Sequence, residues 1–269
     1  MPAGTVKLEY QNHVAIITLH RPDKRNALNE WMFARLEAAI EKLQAKLPRA
    51  LVLTGAGDKA FCAGFDVHPD NPMNEFMLQA AAEKDSSAAL KCIGRIREVA
   101  DALMALPIPI IAAVNGMAFG GGAEIAVRCD LRVMDPDTII CFSETTLGLM
   151  PDFGGTPSLV RLAGPSVAAD LILTARKISA REAMDLKLVN RVSAPGKALA
   201  EAVALAKTIA ANGPRAVRAA LEVIRNSQDL PLEDALALEL DNAVDLVASG
   251  EFVYGIRAFL EKKPPEFPE

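Results

Sequence analysis

The tightest constraint on this chain is the stretch IIAAVNGMAFGGGAEIAVRCD, residues 110–130. A run of apolar residues reads as a buried strand, and three consecutive glycines, Gly120 to Gly122, follow it. Each glycine in an ordered segment costs conformational entropy, so a run of three needs a physical reason. The glycines open a helix near Ala123-Glu124. The first N–H groups of a helix are unpaired and carry the positive end of its dipole. Bare of side chains, they let a ligand oxygen approach closely. An oxyanion hole is built this way, with donors aimed at charge developing on a thioester or ketone oxygen. Tight helix–sheet packing also wants glycine. The glycines alone leave both readings open.

The pattern around this stretch sets the fold class. TVKLEY and HVAIITL read as two strands meeting at a Gln11-Asn12 turn. NEWMFARLEAAIEKLQA follows with Trp31, Leu36, Ile40 and Leu43 at helical spacing and Asn29 placed to cap it. ALVLTG, 50–55, is a short buried strand, 61–76 is irregular, and a long helix runs from about Met77 to Ala105. Further strands fall at IIAAVNG, within IAVRCDLRVMD, and at TIICF. Beyond about residue 156 only helical signals remain, ending in a closing helix over 231–262. Strand–helix alternation followed by helices alone predicts an α/β fold with a C-terminal helical appendage.

Composition narrows the function classes. Hydrophobic residues make up 51% of 269, enough for a large core. Lys plus Arg is 29 against 34 for Asp plus Glu, a net charge of −5 without basic runs, which argues against a nucleic-acid partner. The apolar run 108–127 is interrupted by Asn115, four glycines and Glu124, against a membrane span. Four scattered cysteines and three histidines form no metal-ligand spacing, so no metal is expected. The opening MPAGTVKLEY lacks the layout of a secretory leader, and reduced thiols fit a cytoplasmic protein.

GAGDKA, 55–60, follows a strand and fits the dinucleotide fingerprint G-x-G-x-x-A. That motif needs a helix straight after it and an acid about twenty residues on. FCAGFDVHPDNP follows instead, and Ala80 stands where the acid belongs, so a nucleotide site of this type is rejected. Two other segments join the glycines. FCAGFDV, 61–67, offers a second backbone N–H at Phe65, or is a plain surface turn. SETTLGLMPDFGGT, 143–156, carries Glu144 and Asp152 in apolar, glycine-rich surroundings, where desolvation raises a carboxyl pKa. Thr156-Pro157 is the better cap for the next helix, so Asp152 has no evident structural task. Glu124 is placed to complement its helix dipole as well as to react.

RPDKRNALN, AFCAGFD, NGMAFGGGAEIAVRCD and LGLMPDFGGT, in this order, resemble the crotonase (enoyl-CoA hydratase/isomerase) family. The resemblance extends through ISAREAMDLKLVNRV to AFLEKK near the end. It implies a spiral of ββα turns over residues 1–195 carrying an acyl-CoA site. It also implies a C-terminal helical trimerisation region over 196–269, giving a homotrimer or a homohexamer built as a dimer of trimers. The implied substrate is an acyl-CoA thioester, with no separate cofactor.

Carried over residue by residue, the oxyanion hole would be the N–H groups of Phe65 and Gly121, and the catalytic glutamates Glu124 and Glu144. In the family's hydratases such a pair holds one water. Two close carboxyls cannot both ionise cheaply, so one remains an acid while the other acts as base. In the family's dienoyl-CoA isomerases an aspartate sits where Asp152 stands. The implied CoA-binding positions are Lys24, Arg25, Ala27, Lys59, Ala63 and Asp66, with Phe259 and Lys262 approaching the nucleotide from another subunit. The sequence departs from the family at Ile108-Pro109, where a lysine often precedes the proline, and at Pro157-Ser158, where Gln-Arg often follows GGT. Phe65 also replaces a small residue. These departures bear on the acyl group more than on the fold. The leading expectation is hydration of a 2-enoyl-CoA. The runner-up is double-bond isomerisation through Asp152, and the third is a silent acyl-CoA binder, which the retained acids oppose.

Overall fold

The computed structural model describes residues 4–268, so residues 1–3 of the opening stretch and Glu269 lie outside the described residues. β1 (Thr5–Gln11) and β2 (Val14–His20) form an antiparallel hairpin. Its two-residue loop is Asn12-His13, one position later than expected, because Gln11 still pairs with Val14. Asn12 takes φ 57°, a left-handed conformation that asparagine tolerates well. α1 (Glu30–Ala45) starts where Asn29 accepts the Met32 N–H at 3.0 Å. Met32 and Phe33 point inward with Leu36, Ile40 and Leu43. Trp31, expected on that face, is 46% exposed.

The next segment repeats one path three times. β3 (Ala50–Gly55) leads to β4 (Ala60–Cys62), then α2 (Pro72–Glu83) and α3 (Ser86–Met104). β5 (Ile110–Val114) leads to β6 (Met117–Phe119), then α4 (Gly121–Arg128). β7 (Leu131–Met134) leads to β8 (Ile139–Cys141), a 3-10 turn over Glu144–Leu147, then α5 (Gly155–Ala163) and α6 (Pro165–Thr174). β9 (Ile178–Ser179), α7 (Ala180–Asp185) and β10 (Arg191–Val192) follow, and then α8 (Ala198–Ala210), α9 (Pro214–Asn226), α10 (Leu232–Ala248) and α11 (Glu251–Leu260). The first strand of each turn joins a six-stranded sheet, β1-β2-β3-β5-β7-β10, and the second a smaller sheet, β4-β6-β8-β9. Pairing between successive turns is parallel in both sheets. The result is the spiral of ββα turns that the resemblance implied.

Several expectations change. The helix expected over 77–105 is two: Lys84 turns left-handed at φ 52° and Asp85 caps α3 through the Ser87 and Ala88 N–H groups. Residues 72–76, read as irregular, are the first turn of α2, with Pro72 at a position where no N–H is required. Two short strands, β9 and β10, lie beyond residue 156. Gly250, at φ 74°, splits the closing helix into α10 and α11.

The core is layered on both faces of the large sheet. One face packs against α1 and α3. The other holds Val14, Ile16, Val52, Ile111 and Val133 under α8, which lays Ala198, Ala202, Ala206 and Ala210 on it at helical spacing. The alanine-rich helix after Lys197 therefore covers the sheet, and surplus apolar surface falls on the helices behind it. No helix among the described residues is long and apolar enough to cross a membrane.

Candidate active site

β4 ends at Cys62, and the chain continues through Gly64 to an isolated bridge at Phe65, with neighbours on two sides. On one edge Leu28 pairs with Phe65: the Leu28 N–H donates to Gly64 O at 2.8 Å, and the Asp66 N–H donates to Leu28 O at 2.9 Å. On the other edge β4 pairs with β6, which leads directly into Gly120 and α4. Gly64 is at φ +85°, and a Cβ there would stand 2.8 Å from Gly121 N. A Cβ on Gly122 would stand 2.2 Å from Cys62 O. Both segments are glycine because their backbones touch. That contact brings Gly64, the residue before Phe65, against the Gly121 N–H. Neither the Phe65 nor the Gly121 N–H donates to the protein among the described residues. α4 begins at Gly121, ahead of the expected start near Ala123.

Glu124 is fully buried in the first turn of α4. Its oxygens accept the Gly155 N–H at 2.7 Å and the Asp152 N–H at 3.2 Å. Gly155 has to be glycine, because a Cβ would meet Glu124 Cγ at 2.4 Å. Glu144 is 8% exposed, and its Oε1 lies 3.4 Å from where a Cβ on Gly120 would stand, so its carboxyl faces the N-cap of α4. Among the described residues, neither oxygen of Glu144 has a partner of ordinary hydrogen-bond geometry. Burial pushes Glu124 up to about 8, and the neighbouring Glu144 charge pushes the same way. Glu144 is likewise raised, by burial first and then by the charge of Asp152. Asp152 is raised to about 6 by burial and by the Glu124 charge. The three acids predicted from sequence therefore form one electrostatic cluster. Asp152 caps no helix, because Gly154 occupies the N-cap of α5 and the expected cap, Thr156, lies inside the helix.

The surroundings suit an apolar group with a polar tail. A cleft of about 480 Å³ between α1, α2 and α3 is lined by Phe33, Met73, Phe76, Ala80 and Cys92. It adjoins the acids: the Phe33 ring packs on Phe153 at 5.9 Å, and after burial the Asp152 charge is what raises the Cys92 thiol. A second cleft of about 490 Å³ brings Arg25 and Lys59 together. Lys24 sits beside it in the 3-10 turn Pro22–Lys24. Ala63 donates its N–H to Arg25 O, and Ala27 offers its carbonyl to Arg21. Asp66 is different. Its carboxylate is held by Arg21 and the His68 N–H, so its side chain is committed within the protein. Phe259, 80% exposed, and Lys262 lie at the end of α11 and line neither cleft.

Sequence reasoning missed Gly155 and Arg128. Arg128 holds the Phe153 carbonyl and pairs with Asp101, fixing the loop whose N–H groups grip Glu124. The doubled glycine before Thr156 was the available signal for Gly155. Arg128 gave none, because its partners are distant in the chain.

A ββα spiral with acids buried against a glycine-opened helix marks the class of acyl-CoA hydratases and isomerases. The model of the enoyl-CoA hydratase/isomerase family matches residues 9–269. The chain is 34% identical to the short-chain-enoyl-CoA hydratase of Clostridium acetobutylicum, over 99% of this chain and 98% of that one. It is 35% identical to the 2,3-dehydroadipyl-CoA hydratase of Escherichia coli, over 96% of each. The crystal structure of enoyl-CoA hydratase from Bacillus anthracis superposes with a TM-score of 0.88 at 34% identity, covering 98% of both chains. The chain belongs to the enoyl-CoA hydratase/isomerase (crotonase) family.

Proposed function

We propose that this protein adds water across the double bond of a 2-enoyl-CoA. The observation that carries the reading is the pair Glu124 and Glu144, both buried, both raised in pKa, and each acting on the other. Such a pair titrates as a unit and shares a proton over the neutral range. The thioester oxygen accepts from the Phe65 and Gly121 N–H groups. A water held by the carboxyls bonds through its oxygen to C3 and gives its proton to the carboxylate. The electron pair of the double bond moves toward the thioester oxygen as an enolate, which the two donors stabilise. The protonated partner then gives its proton to C2, and the pair ends with the proton count it began with. Arg25 and Lys59 supply positive charge for the CoA phosphates.

A second reading has one observation in its favour: Asp152 is a third acid, raised to about 6 by burial and then by the Glu124 charge. It would move a proton during double-bond isomerisation. A panel of 2-enoyl- and dienoyl-CoA thioesters separates the two. Hydration predicts products heavier by one water, lost about a hundred- to ten-thousandfold in rate with Glu124→Gln or Glu144→Gln, the range general acid–base groups supply. Asp152→Asn retains much of that rate. Products of unchanged mass, with Asp152→Asn as damaging as either glutamate change, would establish isomerisation instead.

We further propose assembly as a homotrimer or a dimer of trimers, with Phe259 and Lys262 serving a neighbouring subunit's CoA site. Support comes from α10, where Leu232, Leu236, Leu240, Val244 and Val247 form an exposed stripe.

A further inference from the structure

The Phe65 N–H is a useful donor only if its peptide plane is held at one angle. That angle is set from the opposite edge of the strand. The peptide bond is planar and trans, so the Phe65 N–H points opposite to the Gly64 carbonyl. The Gly64 carbonyl is fixed by the Leu28 N–H at 2.8 Å, which turns the Phe65 N–H away from Leu28 and toward the β6–α4 side where Gly121 lies. This single bridge, Leu28 to Phe65, belongs to no regular strand pair and has only one hydrogen bond on either side of it.

A buried ion pair staples the bridge. The Arg21 guanidinium donates to Ala27 O at 3.3 Å, next to Leu28, and to Asp66 Oδ2 at 2.5 Å, next to Phe65. The side chains of Arg21 and Asp66 are 8% and 9% exposed. Asp66 Oδ1 accepts the His68 N–H, which fixes the carboxylate from its other side. Arg21 itself is anchored at its backbone, donating its N–H to Asn26 Oδ1, and Asn26 is tied through Nδ2 to Ala56 O and Ala60 O. Arg21 and Asp66 therefore tie together the two segments, Ala27–Leu28 and Phe65–Asp66, on which the bond to the Gly64 carbonyl depends. Buried ion pairs add little to stability, and well-packed apolar residues often replace them at no cost. Their value here is geometric.

We infer that Arg21 and Asp66 are positioning residues that aim the Phe65 N–H at the substrate's thioester oxygen. This rests on the reading of Phe65 and Gly121 as the oxyanion donors.

The direct readout is the carbonyl stretch of a bound saturated acyl-CoA carrying ¹³C at its thioester carbon, measured by infrared difference spectroscopy. It reports polarisation of the carbonyl and does not depend on hydration. In the unaltered protein two donors lower the frequency relative to free thioester. In the Arg21→Met/Asp66→Leu double variant, with its melting temperature retained, the lowering shrinks, kcat falls about tenfold and KM changes little, because the donor is misaimed rather than removed. Asp66→Asn gives the same direction of change if the double variant does not fold, since a neutral amide holds Arg21 Nη1 less strongly than the carboxylate does. A folded variant with unchanged carbonyl frequency and kcat would overturn the inference while leaving the hole intact. Absence of any lowering in the unaltered protein would overturn both the inference and the reading of the hole.

Discussion

Two regions of this molecule break the usual rules of burial in opposite directions. Around Glu124 the protein buries acids that water would solvate better, and walls them with backbone from which Gly64, Gly121, Gly122 and Gly155 omit side chains. On α10 and α11 it does the reverse, leaving Leu240, Val247, Ile256 and Phe259 in the open. α10 has no buried residue, and α11 has only Glu251, whose carboxylate caps the N-terminus of α9 through the Arg215 and Ala216 N–H groups. Burying a large apolar side chain is worth about 1.5–3 kcal/mol, so the exposed stripe forgoes several such gains in a lone chain. The proposed substrate would account for the first departure, and the proposed neighbouring subunit for the second. Departures from local rules concentrate where function lies.

The sharpest break of this contrast comes at the glycine wall. Gly121→Pro removes the N–H and drives new atoms toward the Phe153 ring, which lies 2.9 Å from where a Cβ would stand. Turnover should fall about a hundredfold or more, the usual loss for one oxyanion donor. Near-normal turnover in a folded variant would reduce the glycines to packing.

At the other region, Leu240→Lys places a charge at the centre of the exposed stripe. Light scattering should show the wild type at three or six chain masses and the variant shifted toward one. A wild type that runs as a monomer at micromolar concentration would leave the α10 stripe without a partner.

The smallest effect concerns pH. Unfolded, Glu124 ionises near 4.5; folded, it keeps its proton to about 8. Between those values the folded chain binds more protons than the unfolded one, so this group's contribution to stability falls as pH rises. Glu124→Gln removes that slope. Its melting temperature should gain on the wild type between about pH 5 and about pH 8. A constant difference across the range would mean that Glu124 is ionised in the fold.

The parts legible in the sequence were those determined locally. β2, β3 and β5 are continuous apolar runs, and Asn29 precedes α1 in plain view. The acids stood out because carboxyls rarely sit among glycines and apolar residues. The parts that were not legible depend on distant partners. β4 and β6 have three residues each, and their pairing with one another spans more than fifty residues of chain. Lys84 gives no sign that it will turn left-handed between two helices. The ion pair that holds the Asp66 carboxylate was not legible either, because its partner, Arg21, is far away in sequence.

In the proposed reaction Glu124 and Glu144 together deliver one water to a 2-enoyl-CoA. This is tested most directly by running the reaction in heavy water and reading the product by mass and proton resonance. The expected product is a 3-hydroxyacyl-CoA carrying one deuterium at C2 and a hydroxyl at C3, formed by the wild type and not by Glu124→Gln or Glu144→Gln. A product that gains deuterium at carbon without gaining a hydroxyl would contradict it.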